Sequence, residues 1–136
     1  MKKFNLMLLF CLVFVSNSRA EQFDKVNYGP FGNLTIYKPT TTPKSFVLFI
    51  SGDGGWNQGV VDMAKNIVNQ GAMVVGVNIL TYYKNIKKQN QKCYYRAGDF
   101  ENLSLEIKKK YKFNSYYKPI LVGYSSGASL VYGVLA

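Results

Sequence analysis

The chain has 136 residues, which is long enough for one domain to bury a hydrophobic core. Seventeen lysines and arginines against seven acidic residues give a formal net charge of +10, and the chain contains no histidine. No zinc-finger or RNA-binding motif accompanies this charge, so a nucleic-acid partner is not expected.

Residues 1–20 have the pattern of a secretory signal peptide. Lys2 and Lys3 give a charged start, residues 6–15 are almost entirely apolar, and small residues precede the expected cleavage site after Ala20. The apolar run is too short to span a bilayer comfortably. We therefore expect an exported chain that is periplasmic or secreted.

The remaining residues, 21–136, contain Cys93 as their only cysteine, so an internal disulfide is not expected. They carry 14 basic and 7 acidic residues, and the basic excess lies mainly in residues 82–96 and 108–112. A solvated basic surface would explain these runs. Attraction to an anionic membrane surface is the alternative.

The first predicted strand lies in residues 33–38, which are surrounded by turn residues. We expect this strand to lie at a sheet edge because Pro39 and Pro43 follow it. Residues 46–50 then form a continuous apolar run, which is typical of a strand buried on both faces.

Helical spacing of apolar residues predicts a helix over residues 58–70, closed by Gly71, and a second apolar strand follows at 72–79. The basic, tyrosine-rich segment 82–96 is expected to form a long loop.

A second helix is predicted to begin near Asp99 as its N-cap. Its buried face should carry three apolar side chains, those of Phe100, Leu103 and Ile107. The third apolar strand is predicted at 120–124, and a further helix follows. Strands that alternate with helices imply a mostly parallel sheet with right-handed crossovers. We predict one α/β domain over residues 21–136.

The pattern Gly-x-Ser-x-Gly occurs at residues 123–127, between the third apolar strand and the helix after it. In this context it is typical of a nucleophile elbow, in which Ser125 sits on a strained turn near unpaired N–H groups. The alternative is a glycine-lined turn in which the serine caps the helix.

A second glycine-rich loop, Ser-Gly-Asp-Gly-Gly-Trp at residues 51–56, follows the first buried strand. We expect it to complete an oxyanion hole, in which the N–H of Asp53 or Gly54 joins that of Ser126. A phosphate cradle is the alternative, but the loop lacks the glycine spacing and the Gly-Lys-Ser/Thr ending of phosphate-binding loops. Asp53 would also repel a phosphate. We expect no cofactor and no metal.

Four stretches, LFISGDGGW, GAMVVGVN, AGDFENLS and PILVGYSSGASLVY, make residues 30–136 resemble the VirJ/AcvB family of bacterial virulence-associated proteins. The resemblance implies an exported α/β-hydrolase-like protein with Ser125 as nucleophile and the turn at residues 52–55 in the oxyanion hole. It also implies hydrolysis of aminoacylated phospholipids such as lysyl-phosphatidylglycerol in the periplasm. The segment TYYKNIKK departs from the family pattern, so no substrate contact is carried over to it.

The sequence does not place the other two members of a catalytic triad. In this fold the expected chain order is Ser, then Asp or Glu, then His. Histidine is absent, and Asp53, Asp62 and Asp99 all precede Ser125. No lysine follows Ser125, and Lys118 is at the wrong end of its strand. We therefore expect the 136-residue chain on its own to be largely inactive.

The end of the sequence supports the same expectation. Residues 128–136 are apolar nearly all round, which is typical of a helix covered by later elements, and the strand at 120–124 would be an exposed apolar edge. We expect an α/β-hydrolase-like domain truncated after the elbow helix.

The primary functional hypothesis is an exported serine ester hydrolase. The alternatives are a non-catalytic periplasmic partner of a type IV secretion or envelope machine and a non-functional relic.

Overall fold

The computed structural model describes residues 23–136, so the predicted signal peptide at residues 1–20 lies outside the described part of the chain. The described residues form five strands and four α-helices. In chain order these are β1 (Phe23–Tyr28), a short 3-10 turn (Gly29–Phe31), β2 (Gly32–Tyr37), β3 (Ser45–Ile50), α1 (Gln58–Asn69), β4 (Ala72–Val77), α2 (Ile79–Lys88), α3 (Arg96–Lys110), β5 (Ile120–Gly123) and α4 (Ser126–Leu135).

The five strands form one sheet in the order β1-β2-β4-β3-β5. The strand β3 pairs in parallel with both β4 and β5, whereas β2 pairs antiparallel with β1 and with β4. The parallel strands are joined by helical crossovers, as strands of the same direction require. The predicted α/β class and its mostly parallel central sheet are confirmed.

The core lies on both faces of the sheet because the side chains of a strand alternate between faces. Every residue of β4 is buried, and so are residues 46–50 of β3. One face packs against α1, where Val60 and Ala64 are buried. The other face packs against the remaining helices, and it buries the three side chains predicted for α3, those of Phe100, Leu103 and Ile107.

The prediction that the first strand lies at a sheet edge is wrong. This strand, β2, lies between β1 and β4, and β1 is the outer strand. The sequence pattern of β1 is weak because its residues are alternately exposed and only half-buried. Pro39 and Pro43 lie beyond the end of β2 at Tyr37, so their missing N–H groups remove no hydrogen bond from the sheet.

The prediction of a long loop at residues 82–96 is also wrong, because residues 79–88 form the helix α2. The side chain of Asn78 caps this helix by accepting hydrogen bonds from the N–H groups of Leu80 and Thr81, at 3.0 and 3.4 Å. Lys87 and Lys88 lie in the last turn, where positive charge interacts favourably with the helix dipole.

The N-cap prediction for α3 is corrected as well. The helix begins at Arg96, so Asp99 lies in its first turn, where a carboxylate is favourable. The Asp99 carboxylate accepts a hydrogen bond of 2.8 Å from the hydroxyl of Tyr82. Burial raises the pKa of Tyr82, and the bond to Asp99 raises it further. Burial also raises the pKa of Tyr94 to about 12, again with Asp99 contributing.

The predicted helix after the elbow is confirmed as α4, and its buried residues are Gly127 and Leu130. Tyr132 and Leu135 on its outer face are 77% and 71% exposed. Among the described strands β5 pairs only with β3, so it forms the exposed apolar edge that was predicted.

No helix within residues 23–136 is long and apolar enough to cross a membrane. Cys93 is a free, exposed thiol.

Candidate active site

The two glycine-rich loops meet at the C-terminal edge of the parallel strands. The strands β3 and β5 are neighbours with Ile50 opposite Gly123, and the N–H of Tyr124 donates to the carbonyl of Ile50 at 3.0 Å. A Cβ atom added to Gly52 would lie 2.9 Å from the Cβ of Ser125. The loop at residues 51–57 therefore packs directly against the predicted nucleophile.

Ser125 has the strained backbone expected of a nucleophile elbow. Its φ of 55° and ψ of −123° are sparsely populated by residues other than glycine. Ser125 occupies the N-cap position of α4, but its side chain makes no capping hydrogen bond to the helix. Ser125 is exposed at the N-terminus of α4, where a nucleophile would be accessible to a substrate.

Two glycines allow this turn to pack backbone against backbone. A Cβ on Gly127 would lie 2.5 Å from the carbonyl oxygens of both Ile50 and Ser51. A Cβ on Gly123 would lie 2.4 Å from the backbone of Gly127. Real Cβ atoms do not approach backbone this closely, so both flanks of Ser125 require glycine. This is the physical reason for the Gly-x-Ser-x-Gly spacing.

One predicted oxyanion donor is available at the start of α4. The N–H groups of Gly127 and Ala128 donate to the carbonyls of Tyr124 and Ser125, both at 2.9 Å. The N–H of Ser126 has no acceptor among the hydrogen bonds of the described residues. An unpaired N–H at a helix N-terminus favours negative charge, so Ser126 can serve in the predicted role.

The other predicted donors lie in a tight turn. The N–H of Gly55 donates to the carbonyl of Gly52 at 2.9 Å, which leaves Asp53 and Gly54 at the exposed tip of the turn. Neither of their N–H groups has an acceptor within residues 23–136. Gly52 contacts Ser125 and directly precedes Asp53 and Gly54, so both N–H groups remain candidates for the second donor.

Hydrogen bonds from buried polar atoms hold the loop at residues 51–57 in place. These bonds were not predicted from the sequence. The hydroxyl of Ser51 accepts from the N–H of Ile79 at 3.1 Å and donates to the carbonyl of Gly52 at 3.3 Å. Ser51 is fully buried, so these bonds link the loop to the first turn of α2. The Asn78 side chain also lies against Gly55. An asparagine before a helical run is an N-cap signal that could have located α2.

An aromatic anchor holds the end of the same loop. Trp56 lies edge-on to Phe49, with 5.6 Å between ring centroids, and its indole N–H donates to the hydroxyl of Tyr37 at 3.3 Å. The indole also covers Gly76 so closely that a Cβ there would lie 2.2 Å from it. The loop is therefore attached to three neighbouring strands.

Within residues 23–136 no side chain is hydrogen-bonded to the hydroxyl of Ser125 as a general base would be. The full sequence contains no histidine. Of the acidic residues considered, Asp99 is bonded to Tyr82, and Asp62 lies 3.9 Å from Lys65 on α1. Within residues 23–136 no group of three or more His, Cys, Asp or Glu residues could hold a metal ion.

The sheet, the crossovers and the strained serine turn define an α/β-hydrolase-like fold with a nucleophile elbow. Residues 44–135 match the family described as "Bacterial virulence protein (VirJ)". The chain belongs to this family, and the predicted resemblance is confirmed.

Among solved structures, the fold is similar to that of a highly thermostable carboxyl esterase from Bacillus coagulans in complex with glycerol. The TM-score is 0.60 and the sequence identity is 20% over 82% of this chain. The alignment covers 39% of the esterase chain, so this chain spans well under half the length of that protein. A search of curated proteins gave no match.

Proposed function

We propose that Ser125 is the nucleophile of a serine ester hydrolase of the VirJ family. The observation that carries the proposal is the backbone of Ser125, held in a strained conformation between two glycines that cannot be replaced without a clash. Strain of this kind persists only where the surrounding structure enforces it, and it exposes the hydroxyl at a helix N-terminus. The esterase relative supports the same reaction class.

In the proposed reaction the Ser125 hydroxyl attacks the ester carbonyl, and the carbonyl oxygen gains negative charge. The N–H of Ser126 and that of Asp53 or Gly54 would stabilise that charge. The alcohol leaves and water then hydrolyses the acyl-enzyme. Both steps need a general base to take the proton from the attacking hydroxyl, and these 136 residues contain no histidine for this role.

We also propose that the protein is exported and acts on phospholipid esters, with aminoacyl phospholipids as the first candidates. The supporting observations are the signal-peptide pattern of residues 1–20, the VirJ match and the basic runs at residues 82–96 and 108–112. An anionic membrane would attract such a surface.

Chemical rescue tests the nucleophile without a histidine in the protein. Hydrolysis of p-nitrophenyl acetate by the chain should be slow, and added imidazole should accelerate it by supplying the missing base. The rescued rate is the hydrolysis rate with protein and imidazole minus the rate at which imidazole hydrolyses the ester without protein. It should disappear in Ser125→Ala and persist in Ser129→Ala, a matched control on the exposed face of α4.

An equal rescued rate in Ser125→Ala and in the wild-type chain would reject Ser125 as the nucleophile. That result would favour the alternative function, a non-catalytic binding partner in the bacterial envelope.

A further inference from the structure

Lys108 is a buried lysine remote from the candidate active site. It lies in the last turn of α3 beside the exposed Lys109 and Lys110, yet only 7% of its own surface is accessible. It packs near Phe46, at the N-terminal end of β3, whereas the serine site lies beyond Ile50 at the other end. Four residues of strand separate the two ends by about 13 Å.

Aromatic rings surround the amine of Lys108. The Nζ atom lies 3.9 Å from the ring centroid of Tyr116 and 5.4 Å from that of Phe46. It is covered from solvent and has no hydrogen-bond partner in the described chain. Burial lowers the pKa of this amine. The faces of the two rings favour the ammonium form through cation–π attraction, whereas burial without a hydrogen-bond partner favours the neutral, nucleophilic amine, and the lowered pKa shows that burial has the larger effect.

The side chain of Tyr116 covers the Lys108 amine and borders a hollow in the protein surface. Tyr116, whose ring lies nearest to Nζ, is itself 63% exposed, so its side chain has space to rotate away from the amine. Lys108 lines a surface hollow of about 440 Å³ together with Lys109, Lys112, Asn114 and Ser115, and no acidic residue lines it. The two additional lysines would attract an anionic group into this space.

We propose that Lys108 is a second reactive centre, which forms an imine with a small aldehyde or ketone that carries a phosphate or carboxylate group. The neutral amine adds to the carbonyl carbon, a C–N bond forms, and the carbonyl oxygen leaves as water. Lys109 and Lys112 would bind the anionic group, and Tyr116 would cover the adduct. The proposal is independent of the reaction at Ser125.

Pyridoxal 5′-phosphate, an aldehyde with a phosphate group, is the probe. The folded chain is treated with less than one equivalent at neutral pH, the imine is reduced with borohydride, and peptide mass spectrometry measures the label on each lysine. Lys108 should carry several-fold more label than Lys110, the exposed lysine of the same turn, because burial lowers the pKa of Lys108 and so favours its neutral, nucleophilic amine.

Two comparisons test whether the site recognises the phosphate group of the probe or whether the lysine reacts with any aldehyde. Pyridoxal, which lacks the phosphate, should show several-fold weaker selectivity, and Lys112→Gln should reduce labelling by pyridoxal 5′-phosphate alone. Tyr116→Ala should accelerate labelling of Lys108 by removing the cover. Equal labelling of Lys108 and Lys110 would overturn the proposal, as would an unlabelled Lys108 in both the wild-type chain and Tyr116→Ala. Circular dichroism of each variant verifies folding.

Discussion

Gly127→Ala tests whether the serine turn is held by close backbone packing. The added methyl group would lie 2.5 Å from two carbonyl oxygens, those of Ile50 and Ser51, and 3.0 Å from the carbonyl carbon of Ile50. These are backbone atoms of β3 and the loop after it, so no side-chain rotation can relieve the overlap. The start of α4 would have to move away from β3 by most of an ångström.

Overpacking of this kind costs about 1–3 kcal/mol of folding free energy. The preference of helices for alanine over glycine offsets about 1 kcal/mol of the cost. We therefore expect a net destabilisation of up to about 2 kcal/mol. Gly133→Ala is the matched control, because it lies in the same helix and a Cβ there has no atom within 4 Å. It should stabilise the chain by about 0.5–1 kcal/mol.

Urea unfolding followed by the fluorescence of Trp56 measures both free energies. Opposite signs for the two substitutions are expected. The reasoning would be refuted if both variants gained stability by similar amounts, since the elbow would then have space for a side chain.

Three further substitutions test other parts of the structure. Asp24→Asn should destabilise the chain by less than about 1 kcal/mol at pH 7, because the bond of Asp24 to Lys38 is partly exposed. Hydrogen bonds from Lys38 and Tyr111 lower the pKa of Asp24 in the folded chain. The stabilising contribution of Asp24 is therefore fully present above its ordinary pKa and should decrease in unfolding curves as the pH falls through the lowered pKa. Ser51→Ala removes the acceptor of a buried N–H, that of Ile79, and should cost about 1–3 kcal/mol in urea unfolding. Lys112→Gly should raise the thermal midpoint by relieving a φ of 51°, a gain of up to about 1 kcal/mol, and an unchanged midpoint would contradict this strain.

The buried strands and the elbow could be predicted because their sequences satisfy several requirements at once. The apolar run at residues 46–50, the glycine-rich loop after it and the glycines around Ser125 all agree on one topology. The position of the two loops also follows, since both come after strands of a parallel sheet and must then emerge at the same edge, whereas the pairing of β3 with β5 is known only from the structure.

The helix α2 was predicted as a loop because of its lysine- and tyrosine-rich composition, although Ile79, Tyr82 and Ile86 lie at helical spacing. Only Ile79 and Tyr82 are buried in it, and the other residues are mainly lysine, tyrosine and polar residues that also occur in loops. The outer strand β1 was missed for a related reason, because it contributes few buried side chains. For β1, pairing with β2 rather than its own composition determines the conformation.

The details of the site depended on contacts between residues distant in sequence. The bond from Ser51 to Ile79 spans 28 residues, and the packing of Gly52 against Ser125 joins two separate loops. The sequence predicted which two loops would meet, whereas the structure shows that Gly52 makes the contact with Ser125.

The central claim is that Ser125 is a nucleophile, and covalent labelling tests it most directly. The chain is incubated with a fluorophosphonate, and the modified residue is identified by peptide mass spectrometry. A single adduct on Ser125, formed slowly because the base is absent and lost only in Ser125→Ala, is the predicted result. Labelling that spreads over Ser126 and Ser129, or persists unchanged in Ser125→Ala, would contradict the account.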